Sequence, residues 1–202
     1  MRYGAWIVLG FLSGGILYSY LLPKWLCKVD VVAQSDDHNP GTANAFKLAG
    51  PLVGALCLLC DVGKGFVPVF WAARQLDRTH VLFALVLAAP VLGHAMAPFF
   101  HHRGGKAIAV TFGVLLGLIP FSFVVCLLAA PYLFFSLVVV IRPHRVRTIR
   151  AMGCFAAGAL LLGRNPAIRL DCLMIAGIVI AKHLHVTQPT NEQAAAALDH
   201  ER

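Results

Sequence analysis

The feature that most constrains this chain is the length of its apolar runs. Residues 3–22, 45–73, 80–98, 107–141, 151–163 and 170–181 carry almost no charge, and polar stretches separate them. A membrane-crossing helix needs about 20 apolar residues, with roughly 17–25 the usual range. In hydrocarbon every backbone N–H and C=O must bond within the protein, which makes helices the solution for such runs. The chain is therefore read as all-α: one polytopic helical bundle in a membrane. Composition agrees, with 59% of residues hydrophobic and 13% charged, against about 25% charged in a soluble domain.

The run 107–141 is too long for one crossing and breaks around Pro120. It is read as two short spans in a hairpin, a single kinked span being the alternative. Run 151–163 is a short span or a re-entrant segment, preceded by the most basic loop, 142–150. The expectation is about seven spans, or five if the short ones fail to cross. Lys and Arg concentrate on the cytoplasmic side of membrane proteins. With the N-terminus outside, ten loop cations fall inside, and Arg2, Arg74, Arg78, Arg164 and Arg169 fall outside. That favours N-out and C-in. The first run is long enough to span, with no small-x-small cleavage site after it, so it reads as an anchor. A single membrane domain is expected over 1–183, and a polar, disordered cytoplasmic tail over 184–202.

The formal net charge of +8 is not read as a nucleic-acid signal, because no Lys/Arg run is interleaved with aromatics. It fits topology and contact with anionic headgroups or substrates. Cys57-Leu-Leu-Cys60 lies inside a span and no second CxxC exists, so zinc and redox roles are not expected. His94, His101 and His102 have no carboxylate nearby in sequence. Neither metal nor cofactor is predicted.

Two polar clusters stand out. The first, 35–44, holds Asp36, Asp37, His38, Asn39, Asn44, Ser35 and Thr42 around the turn Asn39-Pro40-Gly41. Pro40 fixes φ, and Gly41 is free to take φ > 0. Such turns aim successive N–H groups into one anion-binding concavity, and a helix starting near Asn44 adds its dipole. Taken alone, the stretch is equally a capped surface turn. The second cluster, Arg103-Gly104-Gly105-Lys106, opens an apolar helix. Flexible glycines, a point charge and a guanidinium fork suit a phosphate, although GxxxxGK[ST] is absent. The plain alternative is a positive-inside anchor. Both clusters fall on the predicted cytoplasmic side. Between them, Asp61 and Lys64 stand i, i+3 on one helix face and can pair, as a structural pair or in support of the first loop. No GxSxG, HExxH or HxxxxD pattern supplies a general base.

These residues resemble the acyl-phosphate-dependent glycerol-3-phosphate acyltransferase family, the PlsY-type bacterial membrane enzymes. His38-Asn39-Pro40-Gly41-Thr42-Ala43-Asn44 with Lys47 is similar to the family's GNxGxTN loop and its following basic residue. Asp61-Val62-Gly63-Lys64-Gly65 resembles its D-x-x-K-G segment. Gly93-His94 followed by Gly104-Gly105-Lys106 resembles its GH…GGK motif. The resemblance implies acyl transfer from acyl phosphate to the 1-hydroxyl of glycerol 3-phosphate, giving lysophosphatidic acid and phosphate, the first step of phospholipid synthesis. It implies catalytic roles for Asn39, Asn44, Lys106 and His183, and substrate binding by Ser35, Gly41, Thr42, Lys47, Lys64, His94, Arg103, Gly104 and Gly105. It also implies a multi-pass monomer of the bacterial inner (plasma) membrane, in contact with membrane lipids. An already activated donor explains the missing base, since proximity and charge stabilisation suffice.

The departures from the pattern matter. Asp37 stands where the family has Ser, and Ser35 lies two residues upstream. Lys47 replaces Arg and loses bidentate geometry. The third motif, HRxNI…GxE, is reduced to His183, with Val186 in place of Asn. The alternative is therefore a non-catalytic or altered-acceptor homologue that binds lipids or anions. A small transporter is the third reading, for which the spans offer little polar path beyond Asp61 and Lys64.

Overall fold

The computed structural model describes residues 1–100 and 104–184. Arg103, His101, His102, the end of the third motif and the tail beyond 184 lie outside the described residues. The described chain is helical: α1 Arg2–Gly15, α2 Tyr18–Cys27, α3 Val31–Gln34, α4 Thr42–Gln75, α5 Leu82–Met96, α6 Ile108–Gly117, α7 Val125–Leu133, α8 His144–Leu162 and α9 Pro166–Leu184. A π-helical turn, Phe134–Val138, extends α7. Among the described residues, three stretches are long and apolar enough to cross a membrane: Arg2–Cys27, Thr42–Gln75 and Leu82–Phe100. Ile108–Gly117 and Val125–Val138 are apolar but shorter.

The first run is not one helix, as its hydropathy predicts, but two. It breaks at Ile16, which takes extended backbone, and Leu17, which is also non-helical. Ser13-Gly14-Gly15 has low helix propensity, and the two glycines let α1 press against α5: a Cβ on Gly14 would collide with the Pro90 backbone. A carbonyl freed inside a membrane needs a partner, and Ile16 O receives one from Lys64 Nζ at 2.5 Å. Pro23, just past the apolar run, sits inside α2. α4 kinks at Gly50 (φ 85°, ψ 171°) ahead of Pro51. Residues preceding proline avoid the α region, and glycine supplies the positive φ at no steric cost.

Two further boundaries differ from expectation. Residues 144–150 are not a loop but the opening turns of α8. Pro143 precedes the first turn, where its missing N–H costs nothing. α9 starts at Pro166, because Asn165 caps it: Asn165 Oδ1 accepts from Ala167 N (2.9 Å) and Ile168 N (3.2 Å). α6 and α7 are separate helices, as the hairpin reading requires, yet they do not mainly pack on each other. α6 packs on α4, and α7 on α8.

Small residues set the helix spacing. A Cβ on Gly113 would strike Val62 O, and one on Gly93 would strike Phe11 O, so α6 and α4, and α5 and α1, approach at backbone distance. Phe83, Leu87, Leu115, Phe155 and Ile175 fill the buried centre. Two ends result. At one, Tyr3 Oη donates to Asp77 O (2.9 Å), Asn165 Nδ2 to Arg78 O (2.9 Å) and Arg74 to Ile119 O (3.5 Å). The other joins the two polar clusters.

Candidate functional site

The first loop is built from its own side chains. Asp30 caps the short α3, its Oδ1 accepting from Val32 N (3.1 Å) and Ala33 N (3.0 Å). The chain then reverses at His38, which takes φ 46° while its Nδ1 lies 2.9 Å from Val32 O. Asn39 O accepts from Gly41 N at 2.8 Å and from Asn44 Nδ2 at 2.9 Å. Gly41 does not use a positive φ, contrary to expectation; its φ is −108°. Its lack of a side chain makes room instead, since a Cβ there would strike the Asn39 amide nitrogen. α4 starts immediately afterwards, at Thr42.

Asp37 ties this loop to the second one. Its Oδ2 lies 2.6 Å from Lys106 Nζ, and its Oδ1 accepts from Asn44 Nδ2 at 2.7 Å. Residues 69 positions apart thus meet in one polar cradle. Burial pushes the Asp37 carboxyl up, but hydrogen bonds from Lys106 and Asn44, the Lys106 charge and the Asn39 N–H outweigh it and hold the carboxyl below its ordinary range. The carboxylate that fits the family pattern least is therefore compensated by the cation that fits it best.

Beneath the cradle lies a buried polar network. Asp61 and Lys64 form an ion pair at 2.7 Å, their side chains 1% and 2% exposed. Asp61 Oδ2 accepts from Ser19 Oγ, and Thr42 Oγ1 lies 3.1 Å from Ser19 Oγ and 3.4 Å from Asp61 Oδ2. Lys64 Nζ is shared among Asp61, Ile16 O and His94 Nδ1, the last at 2.7 Å. Of its three protons, two have hydrogen-bond acceptors in Ile16 O and His94 Nδ1, and the Asp61 carboxylate balances the charge as an ion pair. Because His94 Nδ1 accepts, its proton is assigned to Nε2, which faces Gly105; a Cβ on Gly105 would overlap it. A Cβ on Gly104 would meet the Ala95 carbonyl. The glycine pair is thus what allows the second loop to lie directly on the end of α5. The network runs from Thr42 at the first loop through Asp61, Lys64 and His94 to Gly105 at the second.

Other predicted residues fall around this arrangement. Ser35 is buried, its Oγ without a partner among the described residues. Lys47 is exposed on the second turn of α4. His183 is buried near the C-terminal end of α9, its Nδ1 2.8 Å from Val179 O, within reach of the Lys106, Asp37 and Arg145 charges. Lys64 and His94 are buried behind the cradle rather than lining it. Ser19 and the Ile16 carbonyl were missed. Ser19 gave a signal, being a hydroxyl in an apolar run that needs a partner, whereas the Ile16 carbonyl had none before the helix break was known. Among the described residues, no cluster of three or more His, Cys, Asp or Glu has metal-binding geometry.

Known proteins resemble this chain in sequence and in fold. The sequence profile of the glycerol-3-phosphate acyltransferase family matches residues 4–189. The chain is 36% identical to the glycerol-3-phosphate acyltransferase of Myxococcus xanthus over 161 residues, 80% of this chain and 78% of that protein. It is 33% identical to that of Pseudomonas aeruginosa over 177 residues, 87% and 89% of the two chains. With the Thermotoga petrophila protein of the same name, identity is 42% over 114 residues, so this chain spans 57% of that relative. Crystal structures of PlsY, an integral membrane glycerol 3-phosphate acyltransferase, share the fold. The glycerol 3-phosphate form matches with a TM-score of 0.79 at 22% identity, covering 98% of this chain and 93% of that one. The lysophosphatidic acid form matches with a TM-score of 0.77 at 21% identity.

Proposed function

The chain belongs to the glycerol-3-phosphate acyltransferase family, and from that premise we propose that it moves a fatty acyl group from acyl phosphate to the 1-hydroxyl of glycerol 3-phosphate. The observation that carries this reading is the Asp37–Lys106 junction, which brings the two phosphate-friendly loops into one cradle. The glycerol hydroxyl attacks the acyl carbonyl carbon, and the C–O bond to phosphate breaks. Inorganic phosphate leaves with the hydroxyl proton, and lysophosphatidic acid is the product. A mixed anhydride is an activated acyl donor, so holding the reactants together and neutralising the developing charge are the main tasks left to the protein. Lys106, Asn39 and Asn44 serve the charge, with His183 beside them. Gly41, Thr42, Gly104 and Gly105 shape the cradle, Ser35 and Lys47 extend it, and Arg103 keeps the phosphate-binding part that the family pattern implies. Lys64 and His94 hold the loops from below.

The same reading gives about seven crossings, N-out and C-in, in a bacterial inner membrane, as a monomer with one membrane domain over 1–183 and a cytoplasmic tail. Acyl phosphate and glycerol 3-phosphate then meet at the cytoplasmic rim, with the acyl chain among the helices. A second reading, an altered acceptor, is favoured by Asp37, which occupies Lys106 where the family has an uncharged Ser. An acceptor series separates the two. Purified protein given acyl phosphate transfers to glycerol 3-phosphate in preference to dihydroxyacetone phosphate and glycerol. Faster transfer to another acceptor supports the second reading, and transfer to none of them contradicts both.

A further inference from the structure

The end of the bundle opposite the cradle holds a cavity of about 380 Å3 that the proposed reaction does not use. Three arginines line it: Arg78 from the turn after α4, Arg164 from the turn after α8, and Arg169 from the first turn of α9. The ion pairs formed among the described residues are Lys24–Asp30, Lys64–Asp61 and Lys106–Asp37, so none of these guanidiniums is paired there with a carboxylate. Asp77, the neighbour of Arg78, instead accepts from the Thr79 N–H at 2.9 Å and the Thr79 hydroxyl at 2.7 Å.

Two of the three arginines are held in place. Arg78 donates to Ala73 O at 2.8 Å, its guanidinium carbon lies 3.9 Å from the Phe121 ring centroid, and its carbonyl accepts from Asn165. The stem of Arg169 lies so close to Gly163 that a Cβ there would meet its Cγ at 2.5 Å. Apart from Ser122 and Asn165 the remaining wall is apolar, from Phe121 and Leu127 among others, and Phe121 is 43% exposed. Guanidinium forks match phosphate oxygens in a way that single ammonium charges do not. Hydrocarbon walls beside them match acyl chain. Such cations are also sparse on the outer face of membrane proteins, and here they gather around one cavity.

We infer that this cavity is a binding site for the phosphate headgroup of an anionic phospholipid, with the chain of the lipid against Phe121 and Leu127. The site is separate from the cradle and independent of the acyltransferase reading. Native mass spectrometry of the detergent-purified full chain tests it, with phosphatidylglycerol, phosphatidylcholine and inorganic phosphate as probes. The wild-type chain retains phosphatidylglycerol about tenfold more tightly than phosphatidylcholine, the order expected for charge-assisted hydrogen bonds to a phosphate. The Arg164→Gln/Arg169→Gln variant loses that preference, whereas Lys106→Ala, at the opposite end, keeps it. Equal retention of the two lipids by the wild-type chain overturns the inference without recourse to any variant. Retention of the preference in the double-Gln variant overturns it too. Competition by inorganic phosphate as effective as by the lipid marks a small-anion site and overturns the lipid assignment.

Discussion

Asp37 is the residue on which the site turns. Its carboxylate accepts from Asn44 and pairs with Lys106, both within 2.7 Å. On the proposed function an incoming phosphate meets a lysine already engaged, so part of its binding energy goes to displacing Asp37. Asp37→Ser restores the family residue and frees Lys106. The expected outcome is a KM for the phosphate substrate lower by about twofold to fivefold, as for one partly exposed charge pair removed, with kcat little changed. Steady-state kinetics check it, and an unchanged KM counts against the competition. The same pair has a pH signature. Because the Asp37 carboxyl sits below its ordinary range in the folded protein, its contribution to stability is complete above about pH 5. That contribution fades as the pH falls through the depressed value, below about 3.9. The thermal-stability gap between the protein and Asp37→Asn is therefore expected to close on acidification. Sequence alone made Asp37 a misfit. Its partner stands 69 positions away, and only the fold brings them together.

Among the elements, the buried Asp61–Lys64–His94 network decides how α2, α4, α5 and the two loops sit together. Removing one member leaves a charge without its partner in a low-dielectric interior, at a cost of about 3–5 kcal/mol, whereas replacing the pair with apolar residues is often near neutral. Lys64→Met is thus expected to lower the melting temperature sharply and Asp61→Leu/Lys64→Met to recover most of it. Activity stays low in both, because Thr42 and Gly105 lose their support. Full recovery of activity in the double variant makes the network purely structural. The i, i+3 spacing of Asp61 and Lys64 made the pair legible, and GH…GGK made His94 and Gly105 legible as residues. Their convergence was not, because it depends on the break at Ile16, which apolar periodicity does not signal. Helix ends were the least legible feature. The arginines of α8 look like a loop in hydropathy, yet their stems suit a helix at a membrane surface, and Asn165 starts α9 earlier than its apolar run does.

The whole molecule has two polar ends with different chemistry, a cradle where Asp37 meets Lys106 and an arginine-lined cavity near Arg78. All-helical membrane character was readable from run length alone, since it follows from the needs of the backbone in hydrocarbon. The pairing of helices was not, because it rests on glycines such as Gly93 and Gly113 meeting backbone on α1 and α4. Orientation is testable at this scale. In a background with its cysteines replaced by Ala, Ser122→Cys is expected to react with an impermeant maleimide in intact cells, and Asp36→Cys only after permeabilisation. The reverse pattern inverts the topology and places the cradle outside. The most direct measurement of the central claim is a product balance for purified protein and its Lys106→Ala variant given acyl phosphate and glycerol 3-phosphate. The wild-type protein should release lysophosphatidic acid and phosphate in equal amounts, and Lys106→Ala should lose about a hundredfold or more in rate, as expected for removing a preorganised charge from the reacting centre. Equal rates in the two proteins, or phosphate release without lysophosphatidic acid, would contradict it.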